Sequence, residues 1–185
     1  VIKGALCAGP QGVLARFRAL APASRPEVEA AFAAAGDAPI VAMLLPTADN
    51  RRVIEDTLPV LPDRLGGGPS TVLTRGVTWA VAWANLPPQP SVTVLVQSAD
   101  DSAAVELGKW ATAMLSSLAG TKEVRAMPGL DKLVAALVPT AKGDRLSLEI
   151  GADQTRQILW ALLARAREDA VKFTSKAQMQ RILMA

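Results

Sequence analysis

The sequence contains no histidine, no tyrosine and only one cysteine among its 185 residues. Without histidine the chain lacks the commonest general base and the imidazole ligand of many zinc sites, and it has no Ser-His-Asp or Cys-His catalytic site. The single cysteine, Cys7, excludes an internal disulfide and a cluster of thiolate ligands. Because Cys7 lies in an apolar segment, we interpret it as a small buried hydrophobic residue. These absences predict a protein that is not an enzyme and that holds no metal and no cofactor.

Long apolar runs are missing as well. None reaches the 18 or so residues that a membrane-spanning helix needs, so we expect a soluble chain whose membrane anchor, if it has one, lies outside these residues. The chain begins at Val1 rather than at a methionine, which is typical of a processed or trimmed fragment. Half of the residues are hydrophobic and a fifth are charged, a composition that argues against disorder.

Net positive charge is absent outside the last segment. The net charge of +3 comes entirely from residues 152–185, which hold six basic and three acidic side chains, whereas residues 1–151 hold fourteen of each. A protein that binds duplex nucleic acid concentrates more positive charge on one face. The sequence therefore predicts no nucleic-acid partner.

Periodicity and turn residues predict a chain in which helices and strands alternate. The predicted strands are Val1–Ala8, Ile40–Leu45, Val77–Ala84, Val92–Gln97 and Arg145–Ile150. The predicted helices are Gln11–Leu20, Ser24–Ala35, Asp49–Leu58, Asp100–Leu118, Leu130–Leu137 and Asp153–Ala185.

Particular residues sharpen some of these predictions. Ser24 and Glu27 have the spacing of a capping box at a helix start. The unbroken apolar run Ile40–Leu45 is typical of a strand that is covered on both faces. Asp100 and Asp101 begin a helix, where we interpret their carboxylates as caps at the positive end of the dipole rather than as a site for a hard cation.

These elements predict an α+β fold, with an antiparallel sheet covered by helices on one face and a long C-terminal helix. Residues 71–151 read as a ββααβ part close to a ferredoxin-like ββαβ unit, and residues 1–62 read as a βααβα part. Residues 63–70 are predicted to be a Gly/Pro linker. Gly66-Gly67-Gly68 superficially resembles a phosphate-binding loop, but Pro69 stands where that loop needs a lysine. We expect the parts to share one core, from which the helix at 152–185 extends.

The strand Val77–Ala84 alternates large and small residues, so that Val77, Trp79, Val81 and Trp83 share one face. Two indoles on one face fit the core of a sheet under helices, where Trp110 and Trp160 are expected to join them from the helices. The alternative is an exposed platform on which Trp79 and Trp83 stack against a sugar or a peptide.

The last helix is the other candidate site. Apolar residues recur along it at intervals of four and three, and basic residues lie beside that seam. We expect Ile158, Leu159, Leu162 and Leu163 to be buried and the half after Lys172 to project. The side chains expected to contact an acidic partner, or another copy in a homo-oligomer, are Arg165, Lys172, Lys176 and Arg181.

The same helix resembles a segment of the planctomycete family of pseudopilin-like secreted proteins of unknown function. That family carries Ala-Arg-Glu-x-Ala and, about four residues later, Ser-Met-Asn-Asn-Leu-Lys-Gln-Ile-Gly-Leu-Ala. Here 166–170 reads Ala-Arg-Glu-Asp-Ala, and Ser175, Met179, Ile182 and Ala185 are in register with the second part. Lys176-Ala177-Gln178 departs from the family's Met-Asn-Asn. The resemblance covers about 20 residues.

The resemblance implies an extracytoplasmic location, in the periplasm, at the cell surface or secreted. The function that we expect is a non-catalytic structural or protein-interaction domain of a cell-envelope protein. Two alternatives stay open at this point. One is a ligand-binding module that uses an exposed tryptophan pair, and the other is an intracellular assembly subunit whose basic helix meets an acidic partner.

Overall fold

The computed structural model describes residues 10–19 and 24–183, with the backbone alone for residues 13, 17 and 168–183. The predicted strand Val1–Ala8, which includes Cys7, lies outside the described residues.

The described chain alternates helices and strands largely as predicted. Its helices are α1 (Gln11–Ala19), α2 (Pro26–Ala35), α3 (Ala48–Thr57), α4 (Thr71–Thr74), α5 (Asp101–Ala119), α6 (Lys122–Arg125), α7 (Leu130–Ala135) and α8 (Ala152–Leu183), with a 3-10 helix at Asp63–Leu65. Its strands are β1 (Ile40–Leu44), β2 (Val77–Asn85), β3 (Ser91–Ser98), β4 (Thr140–Lys142) and β5 (Arg145–Ile150).

The five strands form one antiparallel sheet in the order β1-β2-β3-β5-β4. The α+β fold class, the antiparallel sheet and the long C-terminal helix are therefore confirmed. The predicted strand–strand–helix–strand unit is present as β2, β3, α5 and β5, and β5 pairs directly with β3. Since β1 pairs with β2, the first part of the chain and the second part share one sheet.

Helices cover both faces of this sheet, not one as expected. On the first face, Ala31 and Ala35 of α2 pack against Trp79 and Val81. On the opposite face, Leu107 of α5 packs against Leu146 of β5 and against neighbouring residues of β2 and β3. The two layers are centred on different parts of the sheet, since α2 lies on β1 and β2, whereas α5 lies mainly on β3, β5 and β4 and reaches β2 at Val77 and Ala80.

A bulge interrupts the alternation at the start of β2. The register shifts between Val77, which pairs with Ser98, and Trp79, which pairs with Gln97. The extra residue moves Val77 to the opposite face, where it packs with Leu107 of α5. The prediction that Val77 shares a face with Trp79 is therefore wrong, because strict alternation along a strand assumes an unbroken ladder.

Strand β1 is an edge strand and is not covered on both faces. Ile40 is 52% exposed and Leu44 is 58% exposed, while Val41 and Met43 pack toward α2. The apolar run predicted a buried strand because hydrophobic composition does not report which faces of a strand other elements cover. The side chains of β1 alternate between the face that α2 covers and the opposite face, so one side chain in two is open to solvent.

Two predicted caps have different outcomes. The Asp100 carboxylate caps α5, since its Oδ1 accepts a hydrogen bond of 2.7 Å from the backbone N–H of Ala103. The capping box at Ser24 does not form, because Arg25 occupies the N-cap of α2 and its side chain makes no capping bond. The Ser24 hydroxyl instead donates to Glu29 Oε1 at 2.5 Å.

The segment predicted to be a linker at 63–70 is tied to the domain. The Leu61 N–H, just before this segment, donates to the Gly68 carbonyl at 2.8 Å, and the Leu61 side chain is buried. The Ser117 hydroxyl of α5 donates to the Asp63 carbonyl at 3.0 Å. Gly66 approaches α5 so closely that an added Cβ would lie 3.0 Å from the Met114 nitrogen.

Candidate interaction surface on the C-terminal helix

The first turn of α8 is fixed to the end of β5. The Thr155 N–H donates to the Gly151 carbonyl at 2.8 Å, and the Thr155 hydroxyl donates to the Ile150 carbonyl at 3.1 Å. The Gln154 side chain accepts from the Gly151 N–H at 3.1 Å through Oε1. The Thr155–Gly151 bond is the first intrahelical bond of α8, the Gln154 side chain pairs an N–H that a helix start leaves without an intrahelical partner, and the Thr155 hydroxyl ties the helix to the last residue of β5.

The second turn joins the main core cluster. Ile158 is half-buried and packs with a group built around Leu115, Val124, Leu130 and Val134, which belong to helices α5, α6 and α7. The contacts of α8 with the rest of the domain are to α7 and β3. Among the described side chains of α8, those of residues 152–167, Ile158 is therefore the last large one that packs into this core.

Immediately after Ile158 the helix exposes large apolar side chains. We define the α8 apolar patch as four residues that are between 47% and 71% exposed: Leu159, Trp160, Leu162 and Leu163. The predicted burial is confirmed in part for Ile158 and is wrong for Leu159, Leu162 and Leu163. Trp160, which was expected to face the core, is 71% exposed and is the most exposed residue of the patch.

The geometry of the helix explains why the prediction failed. Residues seven apart lie on nearly the same face, so Leu162 continues the face on which Thr155 is buried. Thr155 lies against the end of the sheet, whereas two turns later no described element lies beneath Leu162, which is 49% exposed. Periodicity identified the correct face of α8, but the described elements that pack on this face do not extend as far as Leu162.

A groove runs between α7 and α8 beside the patch. Its volume is about 460 Å³, and its walls are formed by Leu130 and Leu133 on one side and by Trp160, Ala161 and Ala164 on the other. The alanines of α8 keep the groove open because their side chains are short. The indole of Trp160 therefore forms one edge of an apolar depression rather than standing alone.

Basic side chains lie next to the patch. Arg165 and Arg167 are exposed, and Arg156 forms an ion pair with Asp153 one turn earlier. Of the four predicted partner contacts, Arg165 adjoins the patch, while the side chains of Lys172, Lys176 and Arg181 lie outside the described residues. The backbone of α8 continues as one helix through these three positions.

The second candidate site, the tryptophan pair, lies in the core. Trp79 is 3% exposed, and Trp83 is half-buried beside it in the cluster under α2. An indole that is this deeply buried has no free face on which a sugar or a peptide can stack. The alternative of an exposed platform is therefore wrong for Trp79. Trp110 does not join this cluster, since it lies on α5 in the layer on the opposite face of the sheet.

No protein family, curated protein or solved structure matches this chain. Its function is therefore inferred from the geometry and charge of its own residues. Within the described ranges, no helix has both the length and the apolarity needed to cross a membrane. No group of three or more potential metal-binding side chains is found in residues 10–19 and 24–167.

Among the side chains that the structure describes, one ionisable pair has perturbed pKa values, and it lies on α3 and at the end of α4. Arg75 donates to Glu55 through Nε at 3.3 Å and through Nη2 at 3.2 Å, and the Thr74 hydroxyl donates to Glu55 Oε1 at 2.6 Å. The bond from Arg75, followed by that from Thr74, lowers the pKa of Glu55 below its ordinary value of 4.5. Glu55 likewise raises the pKa of Arg75. The pair joins α3 to the end of α4, which is a structural role.

Proposed function

We propose that this chain is a non-catalytic protein-interaction domain that binds an acidic protein partner through the α8 apolar patch. The observation that carries the proposal is the exposure of Trp160, which is 71% exposed beside three exposed leucines on a helix that leaves the domain. A contiguous apolar patch at a polar surface is typical of a protein-binding site. Tryptophan and arginine are also the residues that dominate binding energy in such sites.

The charge of the helix selects the class of partner. Residues 152–185 carry a net charge of +3, so a second copy of the chain would place one positive helix against another. Residues 152–170 hold three basic and three acidic residues, so the net charge lies in residues 171–185, which hold three basic residues and no acidic one. An acidic partner that extends from the patch along this part of the helix gains attraction from it, and this attraction raises the rate of association. The charge thus favours an acidic partner over a homo-oligomer.

We further propose that the domain belongs to a cell-envelope protein outside the cytoplasm. This part of the proposal is supported by the resemblance of residues 166–185 to pseudopilin-like secreted proteins. In that family the corresponding helix joins successive parts of an envelope protein. A helix that is anchored at its first two turns and then leaves the domain has the geometry of such a connection.

The experiment is site-specific photo-crosslinking in the cells that produce the protein. A photoreactive amino acid replaces Leu163 in the patch, and in a matched strain it replaces Ala113, which is exposed on α5 outside the patch. We expect one predominant crosslinked protein from position 163 and none above background from position 113. The adduct is identified by mass spectrometry, and the partner is then purified for binding measurements.

The binding measurement separates the contribution of the apolar side chains from that of the charges. Replacing Leu159 and Leu162 with Ser is expected to weaken binding at least about tenfold, which corresponds to about 1.4 kcal/mol. Raising the salt concentration is expected to weaken it as well, because exposed charges are screened. A crosslink between two copies of this chain contradicts the acidic partner, and equal crosslinking from positions 113 and 163 contradicts the patch as a binding surface.

A further inference from the structure

A second cavity lies between α5 and the sheet and is separate from the α8 apolar patch. Its volume is about 220 Å³, and ten of its eleven lining residues are apolar. The sheet contributes Val94, Val96, Leu146 and Leu148, which lie on one face according to the strand register. Helix α5 forms the opposite wall, with side chains that include Leu107 and Trp110.

The size of the cavity exceeds what packing defects leave in a protein core. Interiors are close-packed, and voids larger than a water molecule are few. A cavity of about 150 Å³ lined by apolar side chains stays dry and binds benzene, so one of 220 Å³ has room for a single-ring hydrocarbon or a short alkyl chain. The lining offers almost no polar group to hold water, so an apolar molecule gains contacts there that water does not.

A ligand has a route into this cavity. Only three of the lining residues are fully buried, and the others, including Trp110 and Pro139, keep some exposure to solvent. Small residues on α5 leave the space unfilled, because Ala111 lines the cavity where a longer side chain would reach into it.

We propose that this cavity is a binding site for a small uncharged apolar group. A free hydrocarbon and the end of an acyl chain share this chemistry. The first would be wholly enclosed, whereas the second would keep its polar end at the solvent side near Trp110 and Pro139. The site is independent of the α8 apolar patch, since the two share no residue.

The test is a thermal-unfolding titration with two probes, toluene for the free hydrocarbon and 1-octanol for the chain with a polar end. A probe at about ten times its Kd is expected to raise Tm by about 3–6 °C, with saturation. The indole N–H resonance of Trp110, assigned with a Trp110→Phe variant, is expected to shift with the same midpoint. A rise with 1-octanol alone assigns the site to chain ends, and a rise with toluene alone assigns it to enclosed hydrocarbons.

Matched leucine variants decide whether the probes occupy this cavity. Ala111→Leu fills the cavity from α5 and is expected to abolish the rise, whereas Ala113→Leu adds the same atoms at an exposed position of that helix and is expected to keep it. Val94→Leu fills the cavity from the sheet and decides the matter if Ala111→Leu does not fold. The proposal is overturned if neither probe raises the Tm of the unaltered protein, or if a folded filling variant keeps the full rise.

Discussion

Thr155 and Leu162 lie on nearly the same face of α8, two turns apart, yet Thr155 is 7% exposed and Leu162 is 49% exposed. The difference marks the point at which the helix leaves the domain. The stripe that begins at Thr155 and Ile158 therefore packs on the core in the first two turns, and after them its apolar side chains are exposed to solvent. Stability and binding are expected to depend on different residues of this stripe.

Alanine substitutions on either side of this boundary test that separation. Ile158→Ala removes a side chain packed into the core and is expected to lower the free energy of unfolding by about 2 kcal/mol. Leu162→Ala is expected to change it by no more than about 0.5 kcal/mol, as for a surface substitution. Urea denaturation measures both. An equal loss in the two variants would show that the domain continues beneath Leu162.

The tryptophans supply a second contrast. Trp79→Ala is expected to lower the free energy of unfolding by about 3–5 kcal/mol, because it removes a buried indole from the cluster under α2. Trp160→Ala removes an indole that is exposed to solvent, so it is expected to leave the free energy of unfolding nearly unchanged. Equilibrium unfolding followed by circular dichroism compares them. A stable Trp79→Ala variant would contradict the buried position of that indole.

Glycine positions in the loop before β2 differ in what surrounds them. Gly66 and Gly68 both have a positive φ, of +88° and +83°, so alanine at either site costs about 1 kcal/mol in backbone strain. Of the two, only Gly66 lies against α5, since a Cβ added there would lie 3.0 Å from the Met114 nitrogen and 3.1 Å from the Trp110 carbonyl oxygen. A Cβ added at Gly68 would meet no atom within 4 Å. Gly66→Ala is therefore expected to lower Tm clearly more than Gly68→Ala. Similar Tm values for the two variants would show that the loop does not contact α5.

Acid sensitivity is expected from Glu55. Its pKa is lower in the folded chain than its ordinary value of 4.5 because of the hydrogen bonds from Arg75 and Thr74. A lowered pKa contributes stability that is present above pH 4.5 and is lost as the pH falls through the folded-state value. In Glu55→Gln this contribution is absent at every pH. Urea denaturation at several pH values is expected to show the two proteins converging in stability as the pH falls, and a constant difference between them would contradict the role of the carboxylate.

Local patterns predicted the elements, and they predicted the surroundings of those elements less well. The alternation in Val77–Ala84 identified β2, and Asp100 marked the start of α5, because both signals depend on neighbours in the sequence. The bulge at Val77 and the open edge at Ile40 depend on which strands lie beside β1 and β2. Periodicity likewise located the apolar face of α8, whereas the exposure of Leu162 depends on where the rest of the domain ends.

Strand β5 is joined to α8 through Gly151 alone, and it is held on both sides, by β3 along six residue pairs and by β4 along three. A pull on α8 is therefore transmitted to an interior strand rather than to an edge. Several hydrogen bonds on two sides share the load, and they must break before the strand is drawn out. A load applied to α8 would thus reach a strand that is paired on both sides, and not the edge strand β4.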